Sequence, residues 1–192
     1  MKIPLFPLPS VVLPGGQLPL RLFEPRYLRM VSECLKQESG FGICLARAKT
    51  EDGEPLKPYP IGTLAKIVDF DQGSDGFLHI TVQGEQEFRL VDMEMEADKL
   101  QIGQIELQPL KTSFTMPSEY SSLSVKLSQI IEHLGPHMEF PDRDLDDAEW
   151  VCNRLLELLP IDAADKYEML NTFDTTLRLK ALDDLSFSIA PQ

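Results

Sequence analysis

Four groups of residues in this sequence could do chemistry. Glu24-Pro25-Arg26, beside Tyr27, offers a carboxylate and a guanidinium one residue apart, the raw material of an acid–base pair. Pro25, however, has no N–H and suits the first position of a helix. From there Tyr27, Leu28, Met30, Val31, Cys34 and Leu35 make one apolar stripe. Glu24 then sits where a helix dipole favours negative charge, and Arg26 faces solvent or pairs with a nearby carboxylate. The motif reads as a joint between strand and helix, so Glu24→Gln is expected to alter stability more than binding.

The other groups lose their chemistry on inspection. Asp142, Asp144 and Asp146 occupy the first, third and fifth positions of a calcium loop. The sixth must be Gly and is Asp147; the twelfth should be a bidentate Glu and is Asn153. These carboxylates read instead as the N-terminal cluster of a helix starting at Asp144. His133 and His137 have zinc-binding spacing, but Gly135-Pro136 breaks the helix between them. Cys34, Cys44 and Cys152 lack a base nearby, since His79 alternates to the outer face of its strand. No GxSxG, HExxH, CxxC or GxGxxG occurs, and no glycine precedes a lysine, which excludes a P-loop. No catalytic residue, metal ligand or cofactor is expected.

Charge narrows the partners. The chain carries −13, and up to Thr112 it has 12 basic against 16 acidic residues. Neither half has the basic footprint that nucleic acid or an anionic membrane demands. No apolar run approaches the ~18 residues of a membrane span. The start, Met1-Lys2-Ile3-Pro4, carries prolines where an export signal needs an apolar helix. An odd number of scattered cysteines with apolar neighbours suits buried thiols in a cytoplasmic protein.

The elements follow from periodicity. Leu18, Leu20 and Leu22 alternate as in a half-buried strand, and Phe41–Ala48 is a nearly continuous apolar run. Residues 50–62 read as a Pro- and Gly-rich loop. "TLAKIVDF" and "FLHITVQG" flank "DQGSDG" as a hairpin. Two later strands change parity: Phe88 and Leu90 give way to Val91, Met93 and Met95, and Leu100 and Ile102 to Ile105 and Leu107, with Gly103 between them. A bulge leaves that signature, and two bulges favour a small barrel over a flat sheet. After Pro117 the period becomes helical. Tyr120 to Leu134, Asp144 to Pro160, Asp162 to Phe173 and a last run capped by Asp174 give about four helices. The expected buried faces include Ala148, Val151, Cys152, Leu155, Leu156 and Leu159, and later Leu177, Ala181, Leu182 and Leu185.

"IPLFPLPSVVLPGGQLPLRLFEPRY" resembles the opening of the N-terminal, substrate-binding domain of Lon proteases. "YPIGTLAKI", "DGFLHITVQGEQEFRL" and "LLELLPIDAADKYEMLNTFDTTLRLKAL" resemble later motifs of that family. Glu87 stands where the family's arginine is usual, with Arg89 after the phenylalanine, and Tyr167 replaces a usual Gln. The resemblance implies an α+β protein: a PUA-like six-stranded β-barrel with one helix over residues 1–114, then an α-helical bundle over 115–192. It implies a stand-alone form without the ATPase and peptidase domains. It implies a non-catalytic module that binds exposed apolar or unfolded segments of other proteins, or an adaptor docking on a complete Lon protease. PUA-like barrels elsewhere bind RNA, but the charge argues against that here. Tyr59, Phe77 and Phe114, aromatic residues with no clear place on a core stripe, are the expected protein-binding residues.

Overall fold

The structure, a computed structural model, describes residues 1–47, 56–73, 75–134, 140 and 142–186. The chain divides into two compact units, Met1–Pro109 and Leu110–Gln192.

The first unit holds six strands and one helix: β1 (Lys2–Leu8), β2 (Gln17–Leu22), α1 (Pro25–Gln37), β3 (Phe41–Ala46), β4 (Pro58–Gln72), β5 (Leu78–Met95) and β6 (Gln101–Leu107). They form one sheet in the order β2-β5-β4-β3-β1-β6, and β5 also pairs with β6. Hydrogen bonding therefore returns on itself through β5, β4, β3, β1 and β6. The 18 residues of β5 make this possible. Leu78–Gln83 pair with β2, and Phe88–Met95 pair with β6. Because Phe88 and Arg89 pair with both β4 and β6, β2 and β6 lie in succession along the edge of β5 that β4 does not use.

The expected bulge in β5 is present: the register with β6 shifts between Leu90 and Asp92. The one expected in β6 is not, since Gln101–Leu107 pair with β5, and Gln101–Gln104 with β1, without skipping a residue of β6. Gly103 is there for space instead, because a Cβ would lie 2.7 Å from Leu90 Cδ1 and 2.9 Å from Leu5 Cδ1. Further shifts fall between Leu64 and Ala65 and between Ile67 and Asp69. The Pro- and Gly-rich loop is shorter than expected, as β4 begins at Pro58; residues 48–55 lie outside the described residues.

Two apolar clusters fill this unit. Tyr27, Met30, Val31 and Cys34 of α1 pack with Phe6, Phe41, Ile43, Ala65 and Ile80 of the strands. Leu5, Cys44, Phe88 and Ile105 make the second cluster. Leu28 and Leu35, expected on the α1 stripe, are exposed. An apolar face about 100° wide covers four of the six positions, and these two fall at its margins.

The second unit contains α2 (Ser121–Leu134), α3 (Ala148–Leu158), α4 (Ala163–Asn171) and α5 (Thr175–Ser186). α3 starts later than expected. Asp147, not Asp144, is its N-cap, accepting from the N–H of Glu149 (2.8 Å) and Trp150 (3.2 Å). Its expected buried face is buried throughout. Asp174 accepts from Leu177 N at 2.9 Å at the start of α5, whereas the Asp162 side chain makes no cap hydrogen bond. The buried face of α5 differs from expectation: Leu177 is exposed, and Thr175, Arg178, Leu179 and Leu182 point inward.

Candidate functional site

A hollow of about 820 Å³ in the first unit opens where β1 and β2 end and α1 begins. Its position follows from the sheet. β6 pairs with β1 only over Lys2–Leu5, so Phe6–Leu8 have β3 on one side and, among the described residues, no strand on the other. β2 is the terminal strand of the order, with a single partner. The groove lies between those edges. Pro7 in β1 and Pro19 in β2 have no N–H to donate, which blunts both against addition of a further strand.

Leu8, Pro9, Leu20, Phe23 and Pro25 give the groove its apolar lining. Phe23 is 64% exposed, a large cost for an aromatic ring unless something covers it. Its ring meets Phe77 edge-on with centroids 6.4 Å apart. The Arg21 guanidinium lies 4.1 Å above the Phe77 ring and pairs with Asp75 at 3.4 Å.

The motif of a carboxylate and a guanidinium lies on this rim. Arg26 Nη2 approaches Glu24 Oε2 at 2.5 Å and Nη1 donates to Lys99 O at 3.2 Å. Its guanidinium lies 4.8 Å from the centre of the Tyr27 ring, and burial pushes the Tyr27 hydroxyl pKa up. Arg29 binds Glu96, Asp98 (2.9 Å) and Glu33 (3.2 Å). The hydrogen bond to Glu96 is the main reason its pKa is raised, and the Leu100 N–H is the main reason that of Asp98 is lowered. The two arginines therefore tie α1 to the Glu96–Lys99 turn, and Glu24 and Arg26 spend their charge on each other. That arrangement positions a surface; it offers no free acid or base.

Each of the three expected binding residues has its own surroundings. Phe77 stands beside the groove against Phe23. Tyr59 lies half-buried in β4 with Arg47 5.3 Å from its ring centre. Phe114 belongs to the second unit, where its carbonyl accepts from Ala148 N at 2.9 Å. Phe23 was legible as a candidate: it is out of phase with the half-buried Leu18-Leu20-Leu22 face and precedes the α1 stripe, so it belongs to neither core. All three cysteines are buried, and burial raises the pKa of Cys34 and Cys44. His133 Nδ1 lies 3.0 Å from Gln129 O, and His137 lies outside the described residues. Among the described residues no cluster of His, Cys, Asp and Glu could hold a metal ion, and no helix is long and apolar enough to cross a membrane.

A strand-rich unit with an apolar groove, continued by a helical unit, is the class these features define. The chain belongs to the family of ATP-dependent protease La (LON) substrate-binding domains, whose model matches residues 2–185. It is similar over 95% of its length, at 34% identity and a TM-score of 0.77, to a Lon N-terminal domain protein from Xanthomonas campestris, of which 96% is covered. The N-terminal domain of the Mycobacterium avium complex Lon protease shares the fold at 17% identity and a TM-score of 0.68, over 99% of this chain and 100% of that one. Lon protease 2 of Myxococcus xanthus is 25% identical over 190 residues, 95% of this chain and 23% of that protein. Protein cereblon of Danio rerio is 29% identical over 112 residues, 56% of this chain and 26% of that protein. The chain thus spans about a quarter of the length of these two relatives, and the matched family is the substrate-binding part of the protease.

Proposed function

We propose that this chain is a non-catalytic protein-binding module of the cytoplasm that holds exposed apolar segments of unfolded or partner proteins. One observation carries the reading: the groove at the start of α1, with the Phe23 ring 64% exposed on its wall. Membership of a substrate-binding family supports it. The circuit of strands supports reading the first unit as a PUA-like barrel, and the four later helices as a helical bundle. Proline-blunted edges favour recognition of side chains over strand addition. Phe77 stays in the site because it buttresses Phe23; Tyr59 and Phe114 are left out of it.

A labelled, uncharged peptide rich in Leu and Phe tests the proposal by fluorescence anisotropy. Loss of an aromatic anchor at the centre of a site costs about 2 kcal/mol or more. Phe23→Ser should therefore weaken binding about 30-fold, with the circular-dichroism melt unchanged. Equal affinity of the two proteins removes the groove from the site. No binding by the native sequence at any attainable concentration ends the reading altogether.

A further inference from the structure

A second hollow of the first unit, about 440 Å³, has a different chemistry. The β4–β5 ladder ends at the pair Ile61–Arg89. Beyond it β5 leaves β4 to follow β6, past the bulge between Leu90 and Asp92. The first residues of β4 and the last of β5 are left as the two sides of a gap. Val91, Met93 and Met95 are exposed there, at 56%, 37% and 50%. Methionine suits a surface that adapts to varied side chains. In the same hollow Gln101 is 3% exposed. Its Nε2 donates to Leu56 O at 2.9 Å, while its Oε1 is buried without a hydrogen-bond partner among the described residues. A buried carbonyl left so is costly, and a donor supplied from outside would relieve the cost.

Charge identifies the donor's owner. Two exposed cations, Arg47 and Lys57, line this hollow, in a chain of net charge −13. Arg47 follows β3 and Lys57 precedes β4, and Arg47 N donates to Lys57 O at 2.8 Å. Neither makes an ion pair among the described residues. Among the described residues that line the hollow the one carboxylate is Asp92, which accepts from Met93 N at 2.8 Å; Glu94, two residues on, is held by Lys2. We propose that this gap is a second peptide site, taking an extended apolar segment that carries an acidic side chain. The carboxylate goes to Arg47 and Lys57, the neighbouring apolar side chains to Val91, Met93 and Met95, and a peptide N–H to Gln101 Oε1. The inference rests on the reading of the chain as a protein-binding module and adds a preference that the Phe23 groove does not provide.

The probes are two N-acetylated, C-amidated, labelled peptides of Leu and Val that differ by one central Glu or Gln. The native sequence should bind the Glu peptide about tenfold more tightly at low salt, as expected for a charge-assisted contact, and the preference should shrink as salt rises. Arg47→Glu/Lys57→Glu should abolish it, and the milder Arg47→Gln/Lys57→Gln should reduce it. Both variants change exposed side chains, and the melting temperature checks their fold. No preference for Glu, or a preference that survives charge reversal, overturns the proposal. The uncharged Leu- and Phe-rich peptide separates the two readings. If it still binds in a Phe23-dependent way, only the second site has failed; if nothing binds, the reading of the module has failed with it.

Discussion

The two units solve the problem of a small core in opposite ways. In the strand unit the buried side chains are almost all apolar, and the surplus apolar surface is turned outward at Phe23, Phe70, Val91 and Met95. In the helical unit buried positions go to Arg154, Arg178, Lys166, Asn153 and Thr175. The reason lies in helix length. α3 and α4 have 11 and 9 residues, so a large share of their carbonyls are orphans of the last turn. Lys166 and Arg178 reach those carbonyls, while Arg154 donates to the Glu157 carboxylate. Lys166 Nζ donates to Leu159 O at 3.3 Å. Arg178 donates through Nε to Met169 O at 3.2 Å and through Nη2 to Leu170 O at 2.8 Å. Cations at helix C-termini also meet the dipole favourably. The strand unit, much of whose backbone is satisfied by its own ladders, buries no cation among the described residues; there the neutral Gln101 donates to Leu56 O.

The largest expected effect breaks this contrast from the helical side. Arg178→Met keeps the length and loses both charged hydrogen bonds to the end of α4. It should destabilise the second unit by about 3 kcal/mol. The single tryptophan, Trp150 in α3, makes the measurement selective. Urea unfolding followed by its emission should shift strongly to lower denaturant, while peptide binding through Phe23 persists in the folded protein. An unshifted midpoint would mean that the buried guanidinium is incidental to the helical core.

A smaller effect comes from Lys166, whose pKa burial pushes below its ordinary value, against a weaker opposite pull from Glu157. The folded state therefore binds fewer protons than the unfolded chain between the depressed value and the usual 10.5. Stability rises with pH through that window. The penalty for charging Lys166 is full below the folded pKa and gone above the unfolded one. Tyr27 and Tyr120, whose pKa values burial raises, also lose protons in alkaline solution, so the readable quantity is a difference. From pH 8 to about 10.5, the native sequence should gain stability relative to Lys166→Met. Parallel curves for the two proteins would remove the buried-ammonium account.

Much of the scaffold was legible because it rests on periodic apolar positions: the α3 face from Ala148 to Leu159, the β5 bulge near Val91, and the Asp174 cap. What escaped has a shared physical cause. The inward face of α5 runs through Thr175 and Arg178, polar residues that erase the apolar stripe, so Leu177 looked buried in place of Leu179. Gly103 broke the parity of β6 through its lack of a side chain, not through an extra residue. The groove escaped because it depends on β1 outrunning β6 and on β2 having a single partner, which are facts of pairing and not of composition.

Glu24→Gln carries the smallest effect and is the sharpest probe of where scaffold ends and site begins. The sequence reading made Glu24 a helix-start residue; the structure adds that it lies on the rim of the Phe23 groove. Its carboxylate faces Arg26 Nη2 at 2.5 Å, but the Glu24 side chain is 39% exposed, so solvent screens the pair. The amide can still accept from Arg26, which keeps its bond to Lys99 O and its place over the Tyr27 ring. The loss of stability should stay below about 1 kcal/mol. Affinity for the uncharged Leu- and Phe-rich peptide should stay within about twofold, since a rim charge neutralised by its neighbour contributes little to an apolar contact. A variant with an unchanged melt and a tenfold loss of that peptide would show Glu24 touching the bound segment, and the joint between strand and helix would then be part of the binding site.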